Sequence, residues 1–151
     1  MEQRQPHPRH ARLDRAERRA LRVLLAEDDG SFRSLLADAF RQAGYRVTEC
    51  GHGPELVSKL GTYVLFGPPA GFDLVVSDIR MPGATALEIL EAMRDCEGVP
   101  PVILITAFPT EDNLGAARKL GVAAVLGKPF EIDDLIDLAA DVLAQRPQSL
   151  S

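Results

Sequence analysis

The feature that most constrains the fold of this chain is a regular alternation between short apolar runs and stretches with helical periodicity. The runs cover residues 23–26, 47–50, 74–76, 102–105 and 123–126. Four of them are continuously apolar, as in strands that a parallel sheet buries on both faces. The run at residues 47–50 mixes apolar and polar residues, which is typical of a half-exposed edge strand. The runs therefore predict five strands.

Helical patterns follow these runs. Gly44 stands directly after the first pattern, where a glycine commonly ends a helix. Acidic residues open the last pattern at residues 131–134, where the helix dipole favours negative charge. Apolar residues lie at helical spacing in four stretches: Phe32, Leu35, Leu36, Ala39, Phe40 and Ala43; Leu87, Leu90 and Met93; Leu114, Ala117 and Leu120; Ile132, Leu135, Ile136, Ala139, Val142 and Leu143.

Five predicted strands that alternate with helical stretches predict an α/β fold with a doubly wound, five-stranded parallel sheet covered by helices on both faces. Ligands of such sheets bind beyond the carboxyl ends of the strands. Residues 61–72 do not fit the repeat, because they contain three glycines and two prolines. We expect a loop there, whose apolar residues 63–66 either pack on the domain or form a partner-binding patch.

The charge distribution separates an arm from a domain. The 151 residues fit one domain and carry a net charge of −5, yet residues 1–22 hold seven arginines and only three acidic residues. We expect a flexible basic extension over residues 1–20, the domain over 21–146 and a short tail over 147–151. The arm has no aromatic residue to stack on bases, so nucleic-acid binding is not expected.

No apolar stretch in the sequence reaches the roughly 18–20 residues that cross a membrane. The first residues also lack the apolar segment of an export signal. We therefore expect a cytoplasmic protein without membrane contact.

Chemically active side chains follow four of the predicted strands: Glu27, Asp28 and Asp29 after the first, Asp78 after the third, Thr106 at the end of the fourth and Lys128 after the fifth. Parallel strands bring these groups to one edge of the sheet. Clustered carboxylates repel each other until a cation binds, and hard oxygen ligands favour Mg²⁺. A lysine and a hydroxyl beside the metal complete a site for phosphoryl transfer, in which an aspartate can be the nucleophile.

Each of these residues also has a purely structural interpretation. Asp28 or Asp29 can cap a helix that begins near Ser31, and Asp78 can initiate a turn. The occurrence of all the groups at four strand ends favours the functional interpretation.

The strings VLLAEDDG, LVVSDIRMPG, VILITAF and GKPF, in this order, resemble the receiver domain of two-component response regulators. The resemblance covers roughly residues 21–145. It implies a flavodoxin-like (βα)5 fold with strand order 2-1-3-4-5. It also implies a phosphoacceptor rather than an enzyme.

By this resemblance Asp78 is the phosphoacceptor. Asp28 and Asp29 form the acidic pair for Mg²⁺, with Asp29 as the more direct ligand. Asp78 and the backbone carbonyl of Arg80 also reach the metal.

The resemblance further implies that the Thr106 hydroxyl, the Ala107 N–H and the Lys128 ammonium contact the phosphoryl group, and that the peptide bond between Lys128 and Pro129 is cis. Val125 departs from the family, which usually has an aromatic switch residue at this position. Two further departures are the longer segment at residues 61–72 and the absence of an effector domain after the last helix.

These observations predict a stand-alone receiver protein that takes a phosphoryl group from a histidine kinase or a histidine phosphotransfer protein. It would signal by binding an unidentified downstream protein or by passing the phosphoryl group on. The alternative is a receiver-like interaction module that works without phosphate. A phosphatase of the haloacid-dehalogenase type needs a second aspartate where Arg80 stands, so this enzyme class is disfavoured.

Overall fold

The computed structural model describes residues 21–66 and 71–145, and within them five strands alternate with five helices. The strands are β1 (Arg22–Ala26), β2 (Arg46–Cys50), β3 (Leu74–Asp78), β4 (Val102–Thr106) and β5 (Ala124–Gly127). The helices are α1 (Gly30–Gln42), α2 (Gly53–Phe66), α3 (Ala86–Ala92), α4 (Glu111–Lys119) and α5 (Ile132–Gln145). No helix in these ranges combines the length and the apolar character that crossing a membrane requires. The expected basic extension at 1–20 and the tail at 147–151 lie outside the described residues.

All five strands run parallel in the order β2-β1-β3-β4-β5, which confirms the predicted fold. Every residue of β3 and β4 is buried, because these strands lie inside the sheet and helices cover both of its faces. Strand β2 lies at the edge, and only its last residue is fully buried. The edge position explains why its sequence mixes apolar and polar residues.

Alternate side chains of β1 enter two apolar cores, one on each face of the sheet. Val23 and Leu25 join the core that α1 and α5 cover, and Leu24 and Ala26 join the core under α2, α3 and α4. Burying a large apolar side chain contributes roughly 1.5–3 kcal/mol. Packing on both faces therefore holds the strands, and with them the strand ends, in fixed positions.

Helix α1 begins and ends at identifiable signals. The Asp29 carboxylate accepts a hydrogen bond of 3.0 Å from the Phe32 N–H and caps the first turn. Gly44 follows the last turn with a φ of 103°, a left-handed conformation that glycine adopts without strain. The sequence prediction that Gly44 ends this helix is confirmed.

The prediction of a loop over residues 61–72 is wrong for residues 61–66, because α2 continues to Phe66. Gly61 lies inside this helix, where a glycine costs only about 1 kcal/mol relative to alanine. The first proline after it is Pro68, so nothing before that position removes a helical hydrogen bond. Residues 67–70 and the side chains of residues 62–66 lie outside the described part of the chain.

The loop after β3 is held against the start of α2. The Gly53 N–H donates to the Pro82 carbonyl over 2.9 Å. Gly83 has a φ of 91°, and a Cβ at this position would lie 2.6 Å from Cδ of Pro54. Gly83 is therefore required both for its backbone conformation and for the close approach of Pro54.

We expect Gly83→Ala to lower the free energy of unfolding by about 2–4 kcal/mol, because left-handed strain adds to overlap with Pro54. Gly121→Ala is the matched control, since Gly121 also has a positive φ, of 73°, but open space around its Cβ position. The control should lose only about 1–2 kcal/mol. Urea denaturation measures both values, and equal losses would contradict the proposed contact between this loop and Pro54.

Candidate functional site

The sheet topology brings the predicted strand-end residues to one edge. Asp78 ends β3, which lies between β1 and β4, and Thr106 ends β4. The Ile79 N–H donates to the Ile105 carbonyl over 2.9 Å, and the Lys128 N–H donates to the Thr106 carbonyl over 2.7 Å. These bonds continue the ladder just beyond the strands, so the side chains start from a rigid backbone.

Lys128 bridges two carboxylates that lie at the ends of different strands. Its Nζ lies 2.6 Å from Oδ2 of Asp78 and 2.9 Å from Oε1 of Glu27. The same Nζ lies 5.1 Å from the centroid of the Phe32 ring, within the range of a cation–π contact. The predicted meeting of Lys128 with Asp78 is present in the structure.

Three carboxylates form an acidic cluster, defined here as Glu27, Asp28 and Asp78. One oxygen of each lies within 4.8 Å of the others. Glu27 is only 1% exposed and Asp78 is 8% exposed, whereas Asp28 is exposed. Hard, negatively charged oxygens at this separation, with one ligand open to solvent, fit a small divalent cation such as Mg²⁺.

Glu27 is the member of this cluster to which the resemblance assigned no role, although the strand-end pattern already placed it beside Asp28 and Asp29. It is the first residue after β1, and its N–H still donates to the Cys50 carbonyl of β2 over 3.0 Å. Its second carboxylate oxygen accepts from the Asp29 N–H over 3.2 Å. The strand-end position is thus the sequence signal for Glu27, since the sheet still fixes its backbone there.

The structure places Asp29 in a different position from Asp28. The Asp29 carboxylate is the N-cap of α1, which is the structural role that the sequence analysis left open. Among the described residues, Asp29 is not one of the carboxylates that gather in the acidic cluster. The geometry therefore favours Glu27 and Asp28, rather than Asp28 and Asp29, as the acidic pair.

Burial and charge shift the pKa values of Glu27 and Lys128. Burial raises the pKa of Glu27 above its ordinary value, although the hydrogen bonds from Lys128 and from the Asp29 N–H lower it. Burial by itself lowers the pKa of Lys128, but its bonds and charge interactions with Asp78 and Glu27 outweigh that effect and raise it. Lys128 is therefore firmly protonated at neutral pH.

The segment after β4 holds the other predicted residues. Thr106 is 2% exposed, and its hydroxyl accepts a hydrogen bond of 2.9 Å from the Phe108 N–H. Phe108 is 53% exposed, and its ring centroid lies 4.7 Å from Cζ of Arg80. Ala107 is exposed between them. Contact of the Thr106 hydroxyl and the Ala107 N–H with a phosphoryl group stays a prediction.

Two further predicted features concern Arg80 and the segment around β5. The Arg80 N–H donates to Oδ1 of Asp78 over 3.0 Å, while a metal contact of the Arg80 carbonyl stays a prediction. The peptide bond between Lys128 and Pro129 is cis, as the resemblance implied. Val125 is partly buried against the core under α2, α3 and α4.

We expect Lys128→Gln to lower the free energy of unfolding at neutral pH by about 1–3 kcal/mol, because Glu27 and Asp78 lose a charged donor. This loss should shrink as the pH falls into the acidic range in which glutamates bind protons. The pKa of Glu27 is raised in the folded state, so the folded variant gains a proton before the unfolded chain does, and one of the two repelling charges disappears.

Denaturation at a series of pH values measures this dependence. Lys59→Gln removes an exposed lysine and should change the stability by no more than about 0.5 kcal/mol at any pH. A loss in Lys128→Gln that does not vary with pH would contradict the coupling between Lys128 and the two carboxylates.

Comparison with known proteins assigns residues 23–140 to the response regulator receiver domain family. The transcriptional activator protein PfeR from Pseudomonas aeruginosa is 37% identical over 125 residues, which are 83% of this chain and 38% of PfeR. The sporulation initiation phosphotransferase F from Bacillus subtilis is 29% identical over 116 residues, which are 77% of this chain and 88% of that protein. The non-phosphorylated HemR receiver domain from Leptospira biflexa has a TM-score of 0.71 at 28% identity, and the match covers 85% of this chain and 99% of that domain.

This chain spans only 23–53% of the length of PfeR and of six further regulators that it matches. The family match nevertheless includes β1 from Val23 onward and the carboxyl ends of all five strands, and with them the acidic cluster and Lys128. On this match, the chain belongs to the response regulator receiver domain family.

Proposed function

We propose that Asp78 accepts a phosphoryl group from the phosphohistidine of a histidine kinase or of a histidine phosphotransfer protein. The observation that carries this proposal is the environment of the Asp78 carboxylate. One of its oxygens lies 2.6 Å from the Lys128 ammonium, and the other accepts the Arg80 N–H over 3.0 Å. The phosphorylated protein would act by binding a downstream protein or by onward phosphotransfer.

The transfer forms a bond between an Asp78 carboxylate oxygen and phosphorus while the bond from phosphorus to the histidine nitrogen of the donor breaks. The electron pair of that bond stays on the imidazole. The protein contributes mainly position and charge, because phosphoryl transfer passes through a loose, in-line transition state. The Lys128 ammonium already binds the acceptor carboxylate, so it can bind the negatively charged phosphoryl oxygens after the transfer.

Thr106 and Ala107 are proposed to complete the anion site. The Thr106 hydroxyl and the Ala107 N–H follow β4, which is the neighbour of β3 and thus of Asp78. A hydroxyl that donates to a phosphoryl oxygen makes a charge-assisted hydrogen bond, which is stronger than one between neutral groups.

Glu27, Asp28 and Asp78 are the residues proposed to hold Mg²⁺, together with the Arg80 backbone carbonyl. When bound, Mg²⁺ supplies positive charge that offsets the repulsion between these carboxylates and the phosphoryl oxygens. Asp29, which the sequence resemblance ranks above Asp28, would first have to release the Phe32 N–H.

Incubation of the protein with an acyl phosphate and Mg²⁺ should add one phosphoryl group at Asp78, since this carboxylate is the acceptor. Intact mass spectrometry measures the addition. Asp78→Asn should remain unmodified, whereas Asp95→Asn, at an exposed position away from the cluster, should be modified like the wild type. Equal modification of the wild type and Asp78→Asn would show that the acceptor is another residue. An unmodified wild type would support a phosphate-independent interaction module instead.

We expect Asp28→Asn to weaken Mg²⁺ binding by roughly tenfold or more, because it removes a charged ligand from the acidic cluster. Asp29→Asn should change the affinity much less, since asparagine also caps a helix well and the start of α1 is retained. Isothermal titration calorimetry with MgCl₂ compares the two variants. A larger loss in Asp29→Asn would restore the ranking that the sequence resemblance implies.

The response to phosphorylation is expected in the segment after β4 rather than at Val125. If the Thr106 hydroxyl turns toward the phosphoryl group, the Phe108 N–H loses its acceptor, and the contact between Phe108 and Arg80 must rearrange. Val125 is β-branched and short, so it cannot make the large rotation of an aromatic ring.

Amide NMR spectra with and without a phosphoryl mimic measure this response, and the largest shift changes away from Asp78 should fall within residues 106–112. Thr106→Val lacks the hydroxyl and should lose these changes while keeping those around Asp78. Large changes confined to β5, with residues 106–112 silent, would contradict the expected movement.

A further inference from the structure

Arg33 lies behind the acidic cluster and touches none of its carboxylates. It belongs to the first turn of α1, and its Nη1 donates to the backbone carbonyl of Glu27 over 2.7 Å. We propose that Arg33 is a positioning residue: through the Glu27 backbone it aims the Glu27 carboxylate into the metal and phosphoryl site. This inference rests on the proposed function of that site.

Several described residues bind Glu27, and the hydrogen bond to its backbone carbonyl comes from a helix side chain, that of Arg33. The Glu27 N–H donates to the Cys50 carbonyl at the end of β2. Its carboxylate oxygens accept hydrogen bonds from the Lys128 ammonium and from the Asp29 N–H. Its carbonyl is the group at which the chain leaves the sheet and turns toward α1. The bond from Arg33 fixes that turn, and the turn determines where the carboxylate points.

A second carboxylate fixes the guanidinium itself. Nε of Arg33 lies 3.3 Å from Oε1 of Glu49 on β2, and the other Glu49 oxygen lies 3.2 Å from Nη2 of Arg41. Arg33 thus uses separate donors for Glu49 and for Glu27, which the planar guanidinium holds at a fixed angle. A lysine has no such fork and cannot make both contacts in the same geometry.

Gly51 provides independent support for this role. A Cβ at Gly51 would lie only 3.0 Å from Nη1 of Arg33, the atom that binds the Glu27 carbonyl. Gly51 is not among the positive-φ glycines of the described residues, so its backbone conformation does not demand glycine. The space that Arg33 occupies therefore favours a residue without a side chain at this position, since a Cβ would require the guanidinium to shift.

Lys128 and Arg33 therefore have different roles at the acidic cluster. Lys128 controls the charge of the Glu27 carboxylate directly, whereas Arg33 controls its direction from the opposite side of the backbone. Removal of residues that orient metal ligands typically reduces metal affinity by about tenfold or more. Arg33 should therefore affect metal binding although it is not a ligand.

The test compares Mg²⁺ affinity in the full chain by isothermal titration calorimetry with MgCl₂. Arg33→Met should weaken Mg²⁺ binding by about tenfold. Arg33→Lys should weaken it nearly as much, since a lysine keeps the charge but cannot bind Glu49 and the Glu27 carbonyl in the geometry of the guanidinium. Gly51→Ala displaces the guanidinium and should change the affinity in the same direction. Arg41→Met is the matched control, because it removes the other arginine on Glu49 and leaves the bond between Arg33 and Glu27 intact.

Circular dichroism melting separates positioning from a loss of fold. Arg33→Met should remain folded at the titration temperature, and if it does not, Arg33→Lys and Gly51→Ala carry the comparison. Wild-type affinity in the folded Arg33 variants would overturn the inference while leaving the proposed metal site intact. An equal loss in Arg41→Met would also overturn it, since the effect would then be one of general surface charge. Absence of Mg²⁺ binding in the wild type would instead refute the metal site itself, and this inference with it.

Discussion

The arrangement of this site depends on one ammonium group between two buried carboxylates. Lys128 reaches Asp78 on β3 and Glu27 at the end of β1, at 2.6 and 2.9 Å. Glu27 is 101 residues away from Lys128 in sequence, so only the assembly of the parallel sheet brings these groups together. A buried carboxylate without a partner is strongly unfavourable, and Lys128 supplies the positive partner of both acids at the same edge.

The two loops around Asp78 are held in different ways. The loop after β3 is packed against the start of α2, where Gly83 and Pro54 leave no free space. The segment after β4 depends on a hydrogen bond to the Thr106 hydroxyl and on an exposed aromatic ring beside Arg80. This difference suits the proposed function, which needs a fixed acceptor and a responsive surface, because packed elements shift far less readily than a segment held by a few polar contacts.

The acidic cluster is also supported by residues outside the strings that identify the family. Arg33 binds the backbone carbonyl of Glu27, and Glu49 and Gly51 lie against Arg33 in turn. This arrangement explains the presence of Arg33, of its ion-pair partner Glu49 and of Gly51, which the strand-end pattern leaves unexplained. The chemistry of the cluster thus depends on the first turn of α1 as well as on the sheet edge.

The sequence by itself determined the strands, the helix periodicity and the meeting of Asp78 with Lys128. These features follow from local patterns and from the rule that the carboxyl ends of parallel strands lie at the same edge of the sheet. The resemblance added the strand order and the cis bond before Pro129, both of which the structure contains.

Only the tertiary structure decided which of three successive acidic residues enter the cluster. Glu27, Asp28 and Asp29 are chemically similar, and the turn from β1 into α1 directs two of them to the site and the third to the Phe32 N–H. It also decided that α2 continues past Gly61, since the small penalty of one glycine does not end a helix. The sequence pattern predicts which groups lie near the carboxyl edge of the sheet, but contacts of the backbone with distant segments determine the direction of each side chain.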